Sequence, residues 1–453
     1  MSNKPIIVCK FGGTSLARAS QIRKAESIIN ADPDRRYVIN SAPGKRASGD
    51  QKITDLLYLC HEHASRNLPF EEVFNIITSR FEGIANELEL QLDLSEELAT
   101  IKATIARHGQ TGQPADYAAS RGEYLNGIII ATLLGWRFID AAEVILFDVQ
   151  GNLDKQRSYD TLAEKLASQP AVIPGFYGST PDGQIKTFSR GGSDITGSIV
   201  ARALHAHSYE NWTDVPGLFI TDPRIVAGAY PIEIVTYQEL RELSYSGAAV
   251  LHEDAVFPVR EAGIPVRIRD TNDPEHPGTI IVPRHHPEAK KGYLITGIAG
   301  RKDFTVIQIE KPMMNKEIGF GRRVLQVLED HDVSFEHMPS GIDTLSVVIA
   351  ASQIGDKLDV ILQEIELAVE PECVSVTDKM ALLTVVGRGM AHFPGLAARV
   401  LAALGEQNIN VRMIDSGNSQ VNLIVGVDVE RYEDAVRAIY AAFVHDGEAM
   451  RGY

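Results

Sequence analysis

Short apolar runs closed by glycine alternate with stretches whose apolar residues recur three and four apart. Ile6-Ile7-Val8-Cys9 predicts a buried strand that stops at Lys10 and a glycine pair, and Arg18 to Ile29 has helical spacing. Tyr37-Val38-Ile39 predicts a second strand, ending at Ser41-Ala42-Pro43-Gly44, and Thr54 to about Gly135 is mostly helical in pattern. Further strands are expected at Val144–Phe147, Ala171–Pro174, His207–Trp212 and Ile264–Ile268. Strand and helix in alternation predict an α/β fold with a mainly parallel sheet covered on both faces. Trp136 and Trp212 are expected to be packing groups.

Beyond Thr279-Ile280-Ile281-Val282 the pattern changes, and the polar, His- and Pro-rich stretch from Pro283 to Lys291 suits a linker. An internal repeat follows: Met314 to Gly341 slides 76 positions onto Met390 to Gly417. Gly319 then falls on Gly395, Val324-Leu325 on Val400-Leu401, and Ser340-Gly341 on Ser416-Gly417. Small, apolar and turn residues all stay in register, so a small α+β domain has been duplicated.

Composition narrows the function classes. The 453 residues carry a net charge of −16, which argues against a sequence-independent grip on nucleic acid or an anionic membrane. Three cysteines with no CxxC pair suit a reducing compartment. No uncharged apolar stretch approaches the roughly 20 residues that span a bilayer. A cytoplasmic, multi-domain protein is expected.

Four motifs could carry chemistry. Lys10-Phe11-Gly12-Gly13-Thr14-Ser15 sits where a strand ends, and its glycines would let backbone approach an anion beside a lysine. Ser189-Arg190-Gly191-Gly192-Ser193-Asp194 repeats that design before a helix, with Arg190 able to clamp a carboxylate. Thr213-Asp214, followed by Thr221-Asp222-Pro223-Arg224, lies in an irregular loop after a strand. Arg121-Gly122-Glu123 is placed at the start of an apolar helix, Tyr124 to Leu134, where the macrodipole alone would explain a carboxylate. Each motif taken singly also fits a turn or a cap. Together they fall near strand-to-helix junctions, which gather on one edge of an open α/β sheet, where ligands bind. Neither GxxxxGK[ST] nor GxGxxG is present at these junctions.

These motifs, with Gly247-Ala248-Ala249-Val250-Leu251-His252 and the repeat, resemble the aspartate kinases of the amino-acid kinase superfamily over nearly the whole chain. The resemblance implies a three-layer sandwich over residues 1–292 and two ferredoxin-like ACT domains over 293–453. The first ACT domain would be about 311–378, inserted into a second made of about 293–310 plus 379–453. It implies transfer of the ATP γ-phosphoryl group to the β-carboxylate of L-aspartate, with Mg²⁺ accompanying ATP. That step opens the synthesis of lysine, threonine and methionine. The chain ends soon after the second repeat, so no fused dehydrogenase is expected.

Carried over by motif, Lys10, Gly12, Gly13 and Asp194 would be catalytic. Ser41, Thr54, Glu123, Arg190 and Ser193 would bind aspartate, with Arg190 on a carboxylate and Glu123 on the ammonium. Lys10, Gly12, Gly13, Ser15, Thr213, Asp214, Phe219, Asp222 and Arg224 would surround ATP, and no dedicated metal cage is expected. In the repeat, Met314, Gly319, Phe320, Ser334, Glu336, Ser340 and Asp343 match effector positions. Lysine would suit Glu336 and Asp343, and a homodimer through the ACT domains is expected, with no nucleic-acid or membrane partner. Ser189 stands where the family commonly has glycine, Phe219 where it has tyrosine, and Ala249 where it has a phosphate-contacting lysine. Two other readings stay open: a non-catalytic amino-acid sensor on the same fold, and a kinase for another small acid.

Overall fold

A computed structural model describes residues 5–166, 169–189, 191–248, 251, 253–290, 294–417, 421–445 and 448–449. The chain divides into two compact units. The first comprises Met1–Leu218, Pro231–Leu240 and Ala249–Lys291, and the second Phe219–Tyr230, Arg241–Ala248 and Gly292–Tyr453.

The N-terminal segment runs β1 (Ile7–Phe11), α1 (Ala19–Asn30), β2 (Arg35–Asn40) and four helices, α2 (Ile53–Ser65), α3 (Glu71–Glu87), α4 (Ser95–Gln110) and α5 (Asp116–Leu134). Then come β3 (Arg137–Phe138), α6 (Lys155–Leu166), β4 (Ala171–Pro174), β5 (Tyr177–Ser179), β6 (Ile185–Thr187), α7 (Gly192–Ala203) and β7 (Ser208–Thr213). They are followed by β8 (Leu218–Phe219), β9 (Pro231–Ile232), β10 (Ile234–Thr236), α8 (Tyr237–Tyr245), α9 (Glu253–Ala262), β11 (Val266–Asp270) and β12 (Thr279–Val282). Eight strands form one sheet in the order β10-β12-β11-β7-β1-β2-β4-β3, and every neighbouring pair is parallel except β11–β12. Cys9, Phe11, Val38 and Trp212 point into a core shared with α1 to α5. On the opposite face Tyr209 packs so tightly on α7 that a Cβ at Gly197 would lie 2.6 Å from its ring.

The strand expected at Val144–Phe147 is not one. A 3-10 turn, Ala141–Glu143, precedes two isolated bridges, Leu146 with Ser179 and Phe147 with Leu153. Val144, Ile145 and Phe147 are buried all the same, and apolar period alone cannot tell such a run from a ladder strand.

One charged network lies inside this core. Glu210 accepts from Arg35 Nε at 2.8 Å and from Trp212 Nε1 at 2.9 Å, and Arg269 Nη1 lies 3.6 Å away. Arg35 and Arg269 also flank the Trp212 ring, at 5.4 and 4.6 Å from its centroid. Glu210→Leu would leave both guanidiniums without their carboxylate, and should cost about 3–5 kcal/mol, read as a lower urea midpoint.

In the second unit, a five-stranded sheet has the order β14-β13-β15-β17-β16. Its strands and helices are β13 (Gly297–Glu310), α10 (Phe320–Asp330), β14 (Thr344–Ala350), α11 (Ala351–Ile354), α12 (Leu358–Val369), β15 (Cys373–Val386), α13 (Leu396–Glu406), β16 (Met413–Asp415), β17 (Asn422–Asp428) and α14 (Tyr432–Phe443). The repeat is visible in the backbone: Gly319 and Gly395, 76 positions apart in sequence, cap α10 and α13 with left-handed φ of 80° and 87°.

Two boundaries differ from expectation. Phe304–Glu310, placed by sequence with residues 379–453, pairs with β14, and its Ile307 and Ile309 share a core with α10 and α12. Gly297–Arg301 pairs with the far end of β15, so one continuous strand, β13, serves both ends of the sheet. Phe219–Tyr230 and Arg241–Ala248 precede residue 292 yet group with the C-terminal unit. The cause is local bonding: Ile298 N donates to Ile220 O at 2.6 Å, and Asn422 Nδ2 to Glu242 Oε2 at 2.7 Å.

Candidate active site

The carboxyl ends of β7, β1, β2 and β4 lie side by side, and each is stitched to its neighbour's loop. Gly12 N donates to Trp212 O at 2.9 Å, Ser41 N to Phe11 O at 3.2 Å, and Gly175 N to Asn40 O at 2.9 Å. The loops after β1 and β2 also interlock, with Gly44 N donating to Gly13 O at 2.8 Å. A Cβ at Gly44 would sit 2.6 Å from Gly13 C, so only glycine allows this approach.

Lys10 is buried at the end of β1, and its Nζ lies 2.7 Å from Asp194 Oδ1. Asp194 sits in the first turn of α7, and Asn211 Nδ2 on β7 holds the same oxygen at 2.9 Å. A Cβ built on Gly12 would be 3.7 Å from Lys10 Nζ, so the ammonium overlies the glycine turn. The Gly12 amide is taken by Trp212 O, and among the described residues none accepts from the Gly13 amide, so of the two only Gly13 N–H is open to a ligand. Ser193, the neighbour of Asp194, is buried against Gly175, where a Cβ would lie 2.7 Å from its Oγ.

Glu123 is not at a helix start. α5 begins at Asp116, so Glu123 lies about two turns inside it and the macrodipole cannot account for it. The residue is 5% exposed and its Oε2 has no hydrogen-bond partner. Burial pushes its carboxyl up to about 8, opposed by the Ala42 amide and by the charges of Arg121 and Lys10. Thr54 stands in the first turn of α2, and Thr54 and Ser41 are both half-buried.

Ser15 is buried and accepts from Thr271 Oγ1 at 2.8 Å, a brace between the loops after β1 and β11. Thr213 ends β7, and its Oγ1 donates to Asp214 Oδ1 at 3.2 Å. Phe219, Asp222 and Arg224 belong to the second unit, where Arg224 grips Asp222 through Nε at 3.0 Å and Nη2 at 2.6 Å. Arg190 and Ala249 lie outside the described residues. Among the described residues no cluster of three His, Cys, Asp or Glu could hold a metal ion.

The effector positions divide. Met314 and Phe320 are buried in the same core as Ile307 and Ile309. Glu336 pairs with Arg301 Nη2 at 2.7 Å, and Asp343 Oδ1 accepts from Met313 N at 2.7 Å, so both carboxylates already have partners. Ser334 is exposed and bound to Gln353, and Ser340 is exposed and bridges Leu345.

Asn211 escaped the sequence reading. Its signal was a polar residue facing helix α7 from an otherwise buried central strand, Ser208–Thr213.

Comparison with known proteins matches this architecture. Residues 5–270 fit the amino acid kinase family and residues 383–443 an ACT domain. Aspartokinase 3 of Bacillus subtilis is 38% identical over 449 residues, covering 96% of this chain and 98% of its own. The crystal structure of Clostridium acetobutylicum aspartate kinase superposes with a TM-score of 0.88 at 50% identity, covering 97% of this chain and all of that one. Escherichia coli aspartokinase III in complex with aspartate and ADP gives 0.74, and in complex with lysine and aspartate 0.72. Both are 26% identical to this chain, covering 96% of it and 99% of their own. The chain belongs to the amino acid kinase family, in its aspartokinase branch.

Proposed function

We propose that this protein transfers the γ-phosphoryl group of ATP to the β-carboxylate of L-aspartate. The observation that carries the reading is the pairing of Lys10 with an Asn211-held Asp194 over the Gly12–Gly13 turn, within electrostatic reach of the buried Glu123. A carboxylate with reference pKa of about 4 is already ionised at pH 7, so the acceptor needs no general base. One carboxylate oxygen attacks the γ-phosphorus, and the bond to the β,γ-bridging oxygen breaks with its electron pair leaving on ADP. What remains is to align the reactants and neutralise charge on the equatorial oxygens. Lys10 and the Gly13 amide do this, and Asp194 fixes where the ammonium sits. Glu123 receives the α-ammonium of aspartate, with Ser41, Thr54, Ser193 and Arg190 on the rest of the substrate.

Mg²⁺ would neutralise the polyphosphate when bound. Lysine is the effector we assign to the ACT region, supported by the lysine complex of the E. coli relative, and a homodimer through that region is part of the same reading. The sensor alternative has no observation in its favour, since Ala249 is its sole motive.

The test is ATP-dependent acyl phosphate formation from aspartate, trapped as the hydroxamate, with glutamate and acetate as competing acceptors. Aspartate-specific product, lowered by lysine more than by threonine or methionine, is expected. Nucleotide binding without any trapped product would overturn the reading.

A further inference from the structure

Three buried side-chain oxygens near the end of β2 have no hydrogen-bond partner: Glu123 Oε2, Asn40 Oδ1 and Asn126 Oδ1. The first is explained by the ammonium assigned to Glu123. The other two belong to asparagines that are fully buried, in places where an apolar side chain would avoid the cost of an orphaned carbonyl. Their amide nitrogens account for their presence. Asn40 Nδ2, at the last residue of β2, donates to Glu123 O on α5 at 2.8 Å. Asn126 Nδ2, one turn beyond Glu123, donates back to Ser41 O at 2.7 Å. The two bonds run in opposite directions between the same two segments, so they fix both the spacing and the register of Ser41 against Glu123.

Glycine makes the clamp possible. A Cβ at Gly127 would lie 3.0 Å from Asn40 Oδ1 and 2.9 Å from the Phe138 ring, and one at Gly122 2.7 Å from Ala42 Cβ. α5 therefore approaches β2 and the loop after it more closely than a helix with side chains at those positions could. Asn40 Oδ1 faces this helix wall, which makes Asn40 a positioning residue and not a group that touches substrate.

We propose that Asn40 and Asn126 form a reciprocal amide clamp that sets the aspartate subsite by locking Ser41 to Glu123, and so governs affinity for the acceptor and not for the nucleotide. This rests on the aspartate reading above. A displaced Glu123 carboxylate or Ser41 hydroxyl would still bind the acceptor, in a poorer geometry, whereas the Lys10–Asp194 pair across the sheet would be untouched.

The experiment is steady-state kinetics on Asn126→Ala, Asn40→Ala and the double variant, with thermal unfolding and ADP titration on each. Each single variant should raise KM for aspartate about tenfold, with KM for ATP and ADP affinity within about twofold. The double variant should do little more than the worse single one, because either substitution opens the same clamp. Unchanged aspartate KM in folded variants, or aspartate and ATP constants rising together, would overturn the proposal. If Asn126→Ala does not fold, Asn126→Ser, which keeps a hydroxyl donor, is judged by the same split. A wild-type enzyme that did not phosphorylate aspartate at all would instead overturn the function reading.

Discussion

Replacing Lys10 with alanine should lower kcat by about 10²–10³-fold, the size found when one preorganised donor to a developing charge is removed. KM for aspartate should change far less, because in the proposed function the ammonium acts on the transferring group. The fold should survive, since Asp194 keeps its bond from Asn211, and the Lys10 ammonium points to α7 while its neighbours Cys9 and Phe11 fill the core with α1 to α5. Single-turnover kinetics with saturating ATP and aspartate check this directly. A loss confined to KM, with kcat intact, would move Lys10 from the chemistry to simple binding. Lys10→Arg should recover little, because a planar fork cannot replace a point charge fixed by one carboxylate oxygen at 2.7 Å.

The parts of this site that were legible in sequence are those in which one residue type has one physical use. A lysine and two glycines closing an apolar run mark a strand end, and Lys10 does overlie the turn that follows it. Gly191–Asp194 before an apolar helix marks the first turn of α7, and the two elements do meet through Lys10 and Asp194. What was not legible depends on partners distant in the chain. Helical period continues through Tyr117, Ala118 and Leu125, yet the apolar run alone puts the helix start near Tyr124, because a carboxylate at Glu123 suits a helix N-terminus. In the folded chain Ser120-Arg121-Gly122-Glu123 is buried, with Arg121 among the rings of Tyr117, Tyr124 and Tyr177 at 4.6, 4.6 and 5.1 Å. The Gly12 amide looked available until β7 supplied Trp212 O as its acceptor. Asn40 and Asn126 had no local signature, since each reveals its use through a carbonyl more than eighty positions away.

Glu123→Gln carries the second large effect, and it has two signs. In the proposed function the ionised carboxylate holds the aspartate ammonium, so the variant should lose about a hundredfold in kcat/KM for aspartate, mostly through KM. The same substitution should stabilise the unliganded protein at alkaline pH. Burial raises the Glu123 carboxyl from its ordinary value to about 8, so between roughly 4.5 and 8 the folded state keeps a proton that the unfolded chain has released. Stability therefore falls as pH rises through that window, and the whole cost is present above about pH 8. Glutamine carries no charge to desolvate, so its melting temperature at pH 9 should exceed that of wild type by about 2–4 °C for each kcal/mol relieved, with no gain near pH 4. Activity follows the same titration. In wild type, kcat/KM for aspartate should climb with an apparent pKa near 8, because it reports the free enzyme. The kcat profile should break at lower pH, because the bound ammonium favours the ionised form. Both limbs should vanish in Glu123→Gln, and a variant that kept the limb near pH 8 would assign that titration to another group.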